Sequence, residues 1–320
     1  MSLPFEYLEN VQENESRPLW SVMIPVFNCS LFLEYNLQAL MQHALSDDEM
    51  EIVVVDDCST DNPEAIVEKL GEGRVRFVRQ PYNVGHTANF KTCLLQSRGK
   101  LIHILHGDDR ILPGFYESFT NFFEKNQSIM AAFCNCNFID EENKVTSVSA
   151  GSRDETGLFP DFFEQITCGQ IIQTPTMVVR REVYEKIGTF NRTLSWCEDW
   201  EMWARIGKNY QVGFINDVLA EYRVHKNSNS GNYIKSGENI RDIKRGISII
   251  NSYIDNPKDR ENSKRIVTDT YVNTALKTAS VFLEKKQTNA ARNQLAAAFL
   301  MSRSIRLNLR IIRLFVKSYN

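Results

Sequence analysis

Four short strand-like runs, separated by stretches of helical periodicity, limit what this chain can fold into. They are Trp20–Asn28 (WSVMIPVFN), Glu51–Asp61 (EIVVVDDCSTD), Arg74–Gln80 (RVRFVRQ) and the opening of Lys100–Pro113 (KLIHILHGDDRILP). The first, second and fourth are brief and nearly continuously apolar, which suits strands buried on both faces of a sheet, and RVRFVRQ reads as a third strand. Leu33, Leu37, Leu40 and Met41 recur at helical spacing, so a helix returns the chain over Cys29–Leu45. Ser59, Thr60 and Asp61 offer a cap and Pro63 a first turn for the next helix, and a third helix ends near Ser97. Strands alternating with helices imply right-handed crossovers, hence an α/β fold with a mainly parallel sheet flanked by helices.

The fourth run ends differently from the others. Gly107 breaks it, and Asp108 and Asp109 follow at once. Ligands of open α/β folds bind at the carboxyl ends of the strands, so these acids fall where a ligand is expected. Two adjacent carboxylates repel each other unless a cation joins them, and oxygen-rich sites of this kind suit Mn²⁺ or Mg²⁺ holding a substrate phosphate. His106 reads equally as a contact behind the acids or as a strand-end residue. His103 alternates with apolar neighbours and reads as core.

Bulk properties exclude several classes. A net charge of -3 gives no sign of a nucleic-acid binder. No glycine-rich fingerprint follows the first strand, which counts against dehydrogenases and kinases. The seven cysteines form no CxxC pair and read as buried free thiols, which favours a reducing, cytoplasmic compartment. Residues 1–14 form a polar lead without the apolar centre of a signal peptide, and no apolar run reaches the roughly 18 residues of a membrane span.

Ala131–Ile139 alternates as a strand, Asp140 to Gly157 reads as a long loop, and Gln173–Arg180 as another strand. A short helix closed by Gly188 follows, then a helix start at Cys197–Ile206 and a late strand at Ala220–His225. Within Cys197–Ile206, Glu201 and Arg205 stand at i, i+4 as an ion pair, while Trp200 and Trp203 read as core. Helical periodicity dominates from about Tyr233. The expected division is a catalytic domain over 15–230 and a helical C-terminal extension over 231–320.

The order of the motifs carries more than any one of them. IPVFN, VVDDCSTD, NVG, GDDR, CEDWEMWARI and YRVH follow one another over about two thirds of the chain. Together they resemble the glycosyltransferase family 2 enzymes, inverting nucleotide-sugar transferases of the GT-A fold. The resemblance implies transfer of a sugar from a UDP, dTDP or GDP donor to a saccharide or lipid-linked acceptor, in surface polysaccharide or glycan synthesis. It implies that Asp56 accepts a hydrogen bond from the base and that Asp108 faces the ribose, with Pro25 and Asn83 as further nucleotide contacts. It implies Asp109 as the Mn²⁺ or Mg²⁺ ligand with His225 nearby, Asp199 as general base, and Trp196 and Glu198 near the acceptor. Two departures stand out: His106 occupies a position where many members carry Asp, and HTANFK follows NVG in place of the commoner form with Ala-Arg-Asn. A sugar-1-phosphate nucleotidyltransferase and a non-catalytic nucleotide- or glycan-binding relative are the alternatives.

The end of the chain adds a separate signal. Arg303, Arg306, Arg310, Arg313 and Lys317 are spaced to share one helical face, with apolar residues over much of the rest. Such a helix over 303–317 suits an anionic membrane surface, which would place the protein peripherally on the inner face of a membrane. Equally, it packs its apolar side on the catalytic domain and leaves the arginines in solvent.

Overall fold

The structure is a computed structural model that describes residues 4–11, 16–149, 153–226 and 228–319. Its elements are β1 (Trp20–Val26), α1 (Ser30–His43), β2 (Met50–Asp56), α2 (Pro63–Leu70), β3 (Val75–Arg79), α3 (His86–Gln96), β4 (Leu101–Ile104) and β5 (Arg110–Ile111). There follow α4 (Phe115–Lys125), β6 (Ile129–Ile139), β7 (Val145–Val148), β8 (Gly157–Leu158), α5 (Phe162–Thr167), β9 (Met177–Arg180), α6 (Arg181–Ile187), α7 (Glu198–Asn209) and β10 (Gln211–Arg223). Five helices close the chain: α8 (Asn229–Ser236), α9 (Glu238–Ser252), α10 (Pro257–Glu284), α11 (Thr288–Met301) and α12 (Ile305–Lys317).

Contacts divide the chain into two units. The first holds residues 1–162, 171–192 and 206–224. The second holds 163–170, 193–205 and 225–320. The C-terminal helices thus join two segments from earlier in the chain, including the start of α7.

The first unit is built on one mixed sheet with strand order β3-β2-β1-β4-β9-β6-β10-β5. β1 pairs in parallel with both β2 and β4, and β2 with β3. β9 runs antiparallel between β4 and β6, while β10 lies parallel to β6. The continuously apolar runs explain β1, β2 and β4, of which β1 and β4 are buried along their whole length, while β3 at the sheet's edge is only partly buried. His103 shares that burial. Its Nε2 lies 2.9 Å from the Pro175 carbonyl, and burial pushes its pKa down to about 3, leaving a neutral core imidazole.

Three expectations need correction. The segment Asp140–Gly157 is not all loop, since β7 pairs with β6 although all four of its residues are exposed. The strand expected at Gln173–Arg180 begins only at Met177, because Thr174–Thr176 form a 3₁₀ turn. Ser59, Thr60 and Asp61 do not cap α2, whose Asn62 N-cap makes no side-chain bond. Instead they bind the loop after β1: Ser59 Oγ accepts from Asn28 N–H, Asn28 Oδ1 accepts from Thr60 N–H, and Asp61 Oδ2 accepts from Ser30 N–H. Asn28 and Cys58 both take positive φ, which turns the two loops side by side.

In the second unit, α9, α10, α11 and α12 bury small and aliphatic residues such as Ile243, Ala275, Ala279, Leu295 and Ala298. No helix among the described residues is long and apolar enough to cross a membrane.

Candidate active site

Strand order fixes where the first unit can bind a ligand. The chain moves outward from β1 to β2 and β3, then returns to β4 on β1's other side. The carboxyl ends of β1 and β4 therefore flank a topological switch point, the usual crevice of open α/β sheets. Pro25 is the last residue but one of β1, and the segment His106–Asp109 follows β4. The two meet directly, since Gly107 N–H donates to the Pro25 carbonyl at 3.2 Å. A Cβ at residue 107 would stand 2.6 Å from Val26 Cγ1 and 3.0 Å from Cys29 Sγ, so only glycine fits between the adjacent acids and β1.

Donor atoms of His106, Asp108 and Asp109 lie within 4.8 Å of one another. Asp108 is half-buried and Asp109 is 1% exposed. Asp109 is held from two sides: its Oδ1 accepts from Arg223 N–H at 2.8 Å, and its Oδ2 faces His106 Nδ1 at 3.2 Å. Burial, then repulsion from Asp108, pushes its pKa up to about 6 against these two contacts. A cation beside the carboxylates would remove that cost. Two carboxylates and an imidazole form a donor set suited to Mn²⁺ or Mg²⁺, so these residues fit the metal that the sequence implies.

The support beneath this cluster could not be read in sequence. Asn36 Nδ2 donates to the carbonyls of His106 and Asp109, both at 2.9 Å. The Arg223 side chain donates to the carbonyls of Asp108 and Asp140 and to Asn143 Oδ1, and stacks over Phe32. Phe90, in the variant HTANFK segment, stacks on His106 with centroids 5.2 Å apart.

Asp56 is fully buried at the end of β2. It accepts from Ser59 N–H and from Arg79, whose guanidinium lies 2.5 Å from Oδ2. Arg79 was not singled out in sequence, yet it supplies the charge that lets Asp56 be buried. Asn83 is exposed in the NVG loop, and Asp57 fixes that loop by accepting from the N–H groups of Val84 and Gly85.

The remaining expected site residues, Trp196, Glu198, Asp199 and His225, lie in the second unit. Asp199 is half-buried in the first turn of α7, its Oδ2 accepting from Gln170 Nε2 at 2.9 Å and its Oδ1 from Trp200 N–H. Glu198 is buried beside it, and Trp196 and His225 are half-buried. Trp200 and Trp203 are core, and Arg205 pairs with Glu201 at 2.9 Å, as their spacing predicts. The turn before α7 hangs on Asp242, whose Oδ2 accepts from the N–H groups of Ser195, Trp196 and Cys197.

A sheet with mostly parallel strands, flanked by helices and carrying adjacent acids at its switch point, is the GT-A type of nucleotide-sugar transferase fold. Residues 21–188 match the family described as Glycosyl transferase family 2, and the chain belongs to that family of transferases. An uncharacterized glycosyltransferase of Haemophilus influenzae is 26% identical over 242 residues, covering 72% of this chain and 73% of that protein. An Escherichia coli UDP-Glc:alpha-D-GlcNAc-diphosphoundecaprenol beta-1,3-glucosyltransferase is 24% identical, covering 68% of this chain and 82% of its own. The solved structure of S. aureus TarS 1–349 in complex with UDP-GlcNAc has a TM-score of 0.64 at 18% identity, over 94% of this chain and 89% of the other.

Proposed function

We propose that this protein transfers a sugar, with inversion, from a UDP-sugar to a lipid-diphosphate-linked saccharide in glycan assembly. The observation that carries the reading is the His106–Asp108–Asp109 cluster at the switch point of a family 2 sheet. The related glucosyltransferase with a UDP-Glc donor and a diphosphoundecaprenol-linked acceptor supports the choice of substrates.

His106, Asp108 and Asp109 would hold Mn²⁺ or Mg²⁺, which supplies positive charge against the donor diphosphate. Asp108, the more exposed acid, would also face the ribose. Asp56, Pro25 and Asn83 would contact the nucleotide, with Asp56 accepting from the base. Asp199 takes the proton from the acceptor hydroxyl as its oxygen forms the new bond to the anomeric carbon. The bond from that carbon to the diphosphate breaks on the opposite face, so the configuration inverts. Trp196 and Glu198 would border the acceptor, and His225 the diphosphate.

Calorimetric titration with UDP, with and without Mn²⁺, tests the donor side. Asp108→Asn and Asp109→Asn should each weaken binding in Mn²⁺ and leave metal-free binding within a few-fold. Equal affinities of wild type and both variants in Mn²⁺ would overturn the assignment. UDP release from a panel of UDP-sugars, rising when a lipid-diphosphate-linked acceptor is added, tests the transfer itself.

A further inference from the structure

Helix α12 has two apolar faces, and only one of them is used. Leu307 and Ile311 are buried within the helical unit. About half a turn round the axis, Ile305, Leu309, Ile312 and Val316 follow at intervals of 4, 3 and 4 residues, which places them in one stripe. They are 79%, 64%, 49% and 59% exposed. Four aliphatic side chains this open along one ridge mark an interaction surface.

A second stripe runs beside the first. Arg306, Arg310, Arg313 and Lys317 repeat at the same intervals and are exposed. Arg310 reaches Asn273 Oδ1 at 2.9 Å, and Arg306, Arg313 and Lys317 form no ion pair with the described residues. From Lys285 to the end of the chain there are eight basic residues and no acid.

We propose that this face of α12 docks on an anionic phospholipid bilayer. The aliphatic ridge enters the boundary between headgroups and acyl chains, and the neighbouring cations meet lipid phosphates. Charge selects this occupant. A second copy of the chain would bring like charges together with no acid on this helix to meet them, whereas an anionic, low-dielectric surface satisfies both stripes at once. The inference stands apart from the proposed reaction, because it rests on α12 alone and is read by binding.

Flotation of the full chain with phosphatidylglycerol–phosphatidylcholine vesicles, beside phosphatidylcholine vesicles, tests it. Wild type should float with the anionic vesicles at low salt and be released as salt rises. Leu309→Ser with Ile312→Ser should lower the retained fraction about tenfold or more at every salt concentration. Arg306→Gln with Arg313→Gln should lose about as much at low salt and flatten the salt dependence. Both pairs replace exposed side chains, and unchanged circular dichroism and melting confirm the fold. If the serine pair melts early, the glutamine pair decides the question alone. No retention on anionic vesicles, equal retention on neutral ones, or full retention of the folded variants would overturn the proposal. So would light scattering that shows a dimer which the serine pair converts to monomer, since the ridge would then be a self-interface.

Discussion

Arg223 holds Asp109 through its backbone, and uses its side chain to hold what surrounds Asp109. Its N–H donates to Asp109 Oδ1 at 2.8 Å, while the guanidinium spans the carbonyls of Asp108 and Asp140 and the Asn143 side chain. One buried residue at the end of β10 thus ties together segments from distant parts of the first unit. The position of the acids depends on it as much as on β4.

Arg223→Met should therefore act on stability first. It keeps the backbone bond to Asp109 but leaves the half-buried carbonyls of Asp108 and Asp140 without their donor. A buried acceptor that loses its partner costs about 1–3 kcal/mol. The expected loss is about 2–4 kcal/mol by urea denaturation, with UDP affinity in Mn²⁺ falling as the Asp108 loop loosens. Unchanged melting would mean that water replaces the guanidinium without cost.

Gly107→Ala tests the fit between β1 and the acids. The new methyl would stand nearer Val26 Cγ1 than real Cβ contacts do and press tightly on Cys29 Sγ. Overpacking of this kind costs about 1–3 kcal/mol. The Asp108–Asp109 turn should shift away from β1, so nucleotide binding in Mn²⁺ should weaken by more than the stability loss explains. Calorimetry at a temperature where the variant is fully folded separates the two effects.

Much of the first unit was legible in its sequence, because buried parallel strands are continuous apolar runs, as β1, β2 and β4 are, while the edge strand β3 (VRFVR) is only partly buried. β10 was half legible: Asn216 and Asp217 interrupt its apolar pattern where its register with β6 shifts, so only its end from Ala220 reads as a strand. β7 was hidden because a fully exposed strand carries no alternation. The same logic applies to the site. Asp108 and Asp109 announce themselves by following a strand. Asn36, Arg223 and Asp242 do not, because their side chains act on backbone atoms 45 to 115 residues away in the chain. His106 gained its reading only when its imidazole was seen against Asp109.

Asp242 gives a pH signature. Burial works to raise its pKa, but the N–H groups of Ser195, Cys197 and Trp196 and the Arg245 guanidinium outweigh it, so the carboxyl titrates below its ordinary range. A depressed carboxylate contributes stability above its unfolded pKa and loses it as pH falls through the folded value. Asp242→Asn should cost about 2–4 kcal/mol at neutral pH. The gap from wild type should be full above about pH 4 and close below it. Thermal melts of both proteins across that range check the sign, and a gap independent of pH would show that the charge contributes nothing.

The base assignment makes the sharpest demand on activity. Asp199 stands in the first turn of α7, where Asp242 fixes the preceding turn and Gln170 Nε2 fixes Oδ2. That arrangement orients one carboxylate oxygen through a neutral amide donor. Asp199→Asn keeps the shape and a carbonyl for Gln170 but cannot accept the proton of the acceptor hydroxyl. General-base catalysis supplies about 10² to 10⁴-fold, so kcat should fall by that order while UDP binding in Mn²⁺ stays within a few-fold. Gln170→Leu keeps the Asp199 carboxylate but removes the donor that orients it, so it should cost about tenfold in kcat, with the acceptor KM rising because the carboxylate is less well placed. Single-turnover transfer measured beside calorimetry distinguishes these outcomes. If Asp199→Asn transfers sugar at the wild-type rate, the base is another residue; if it loses UDP binding and melts early, the carboxylate is a structural part of α7.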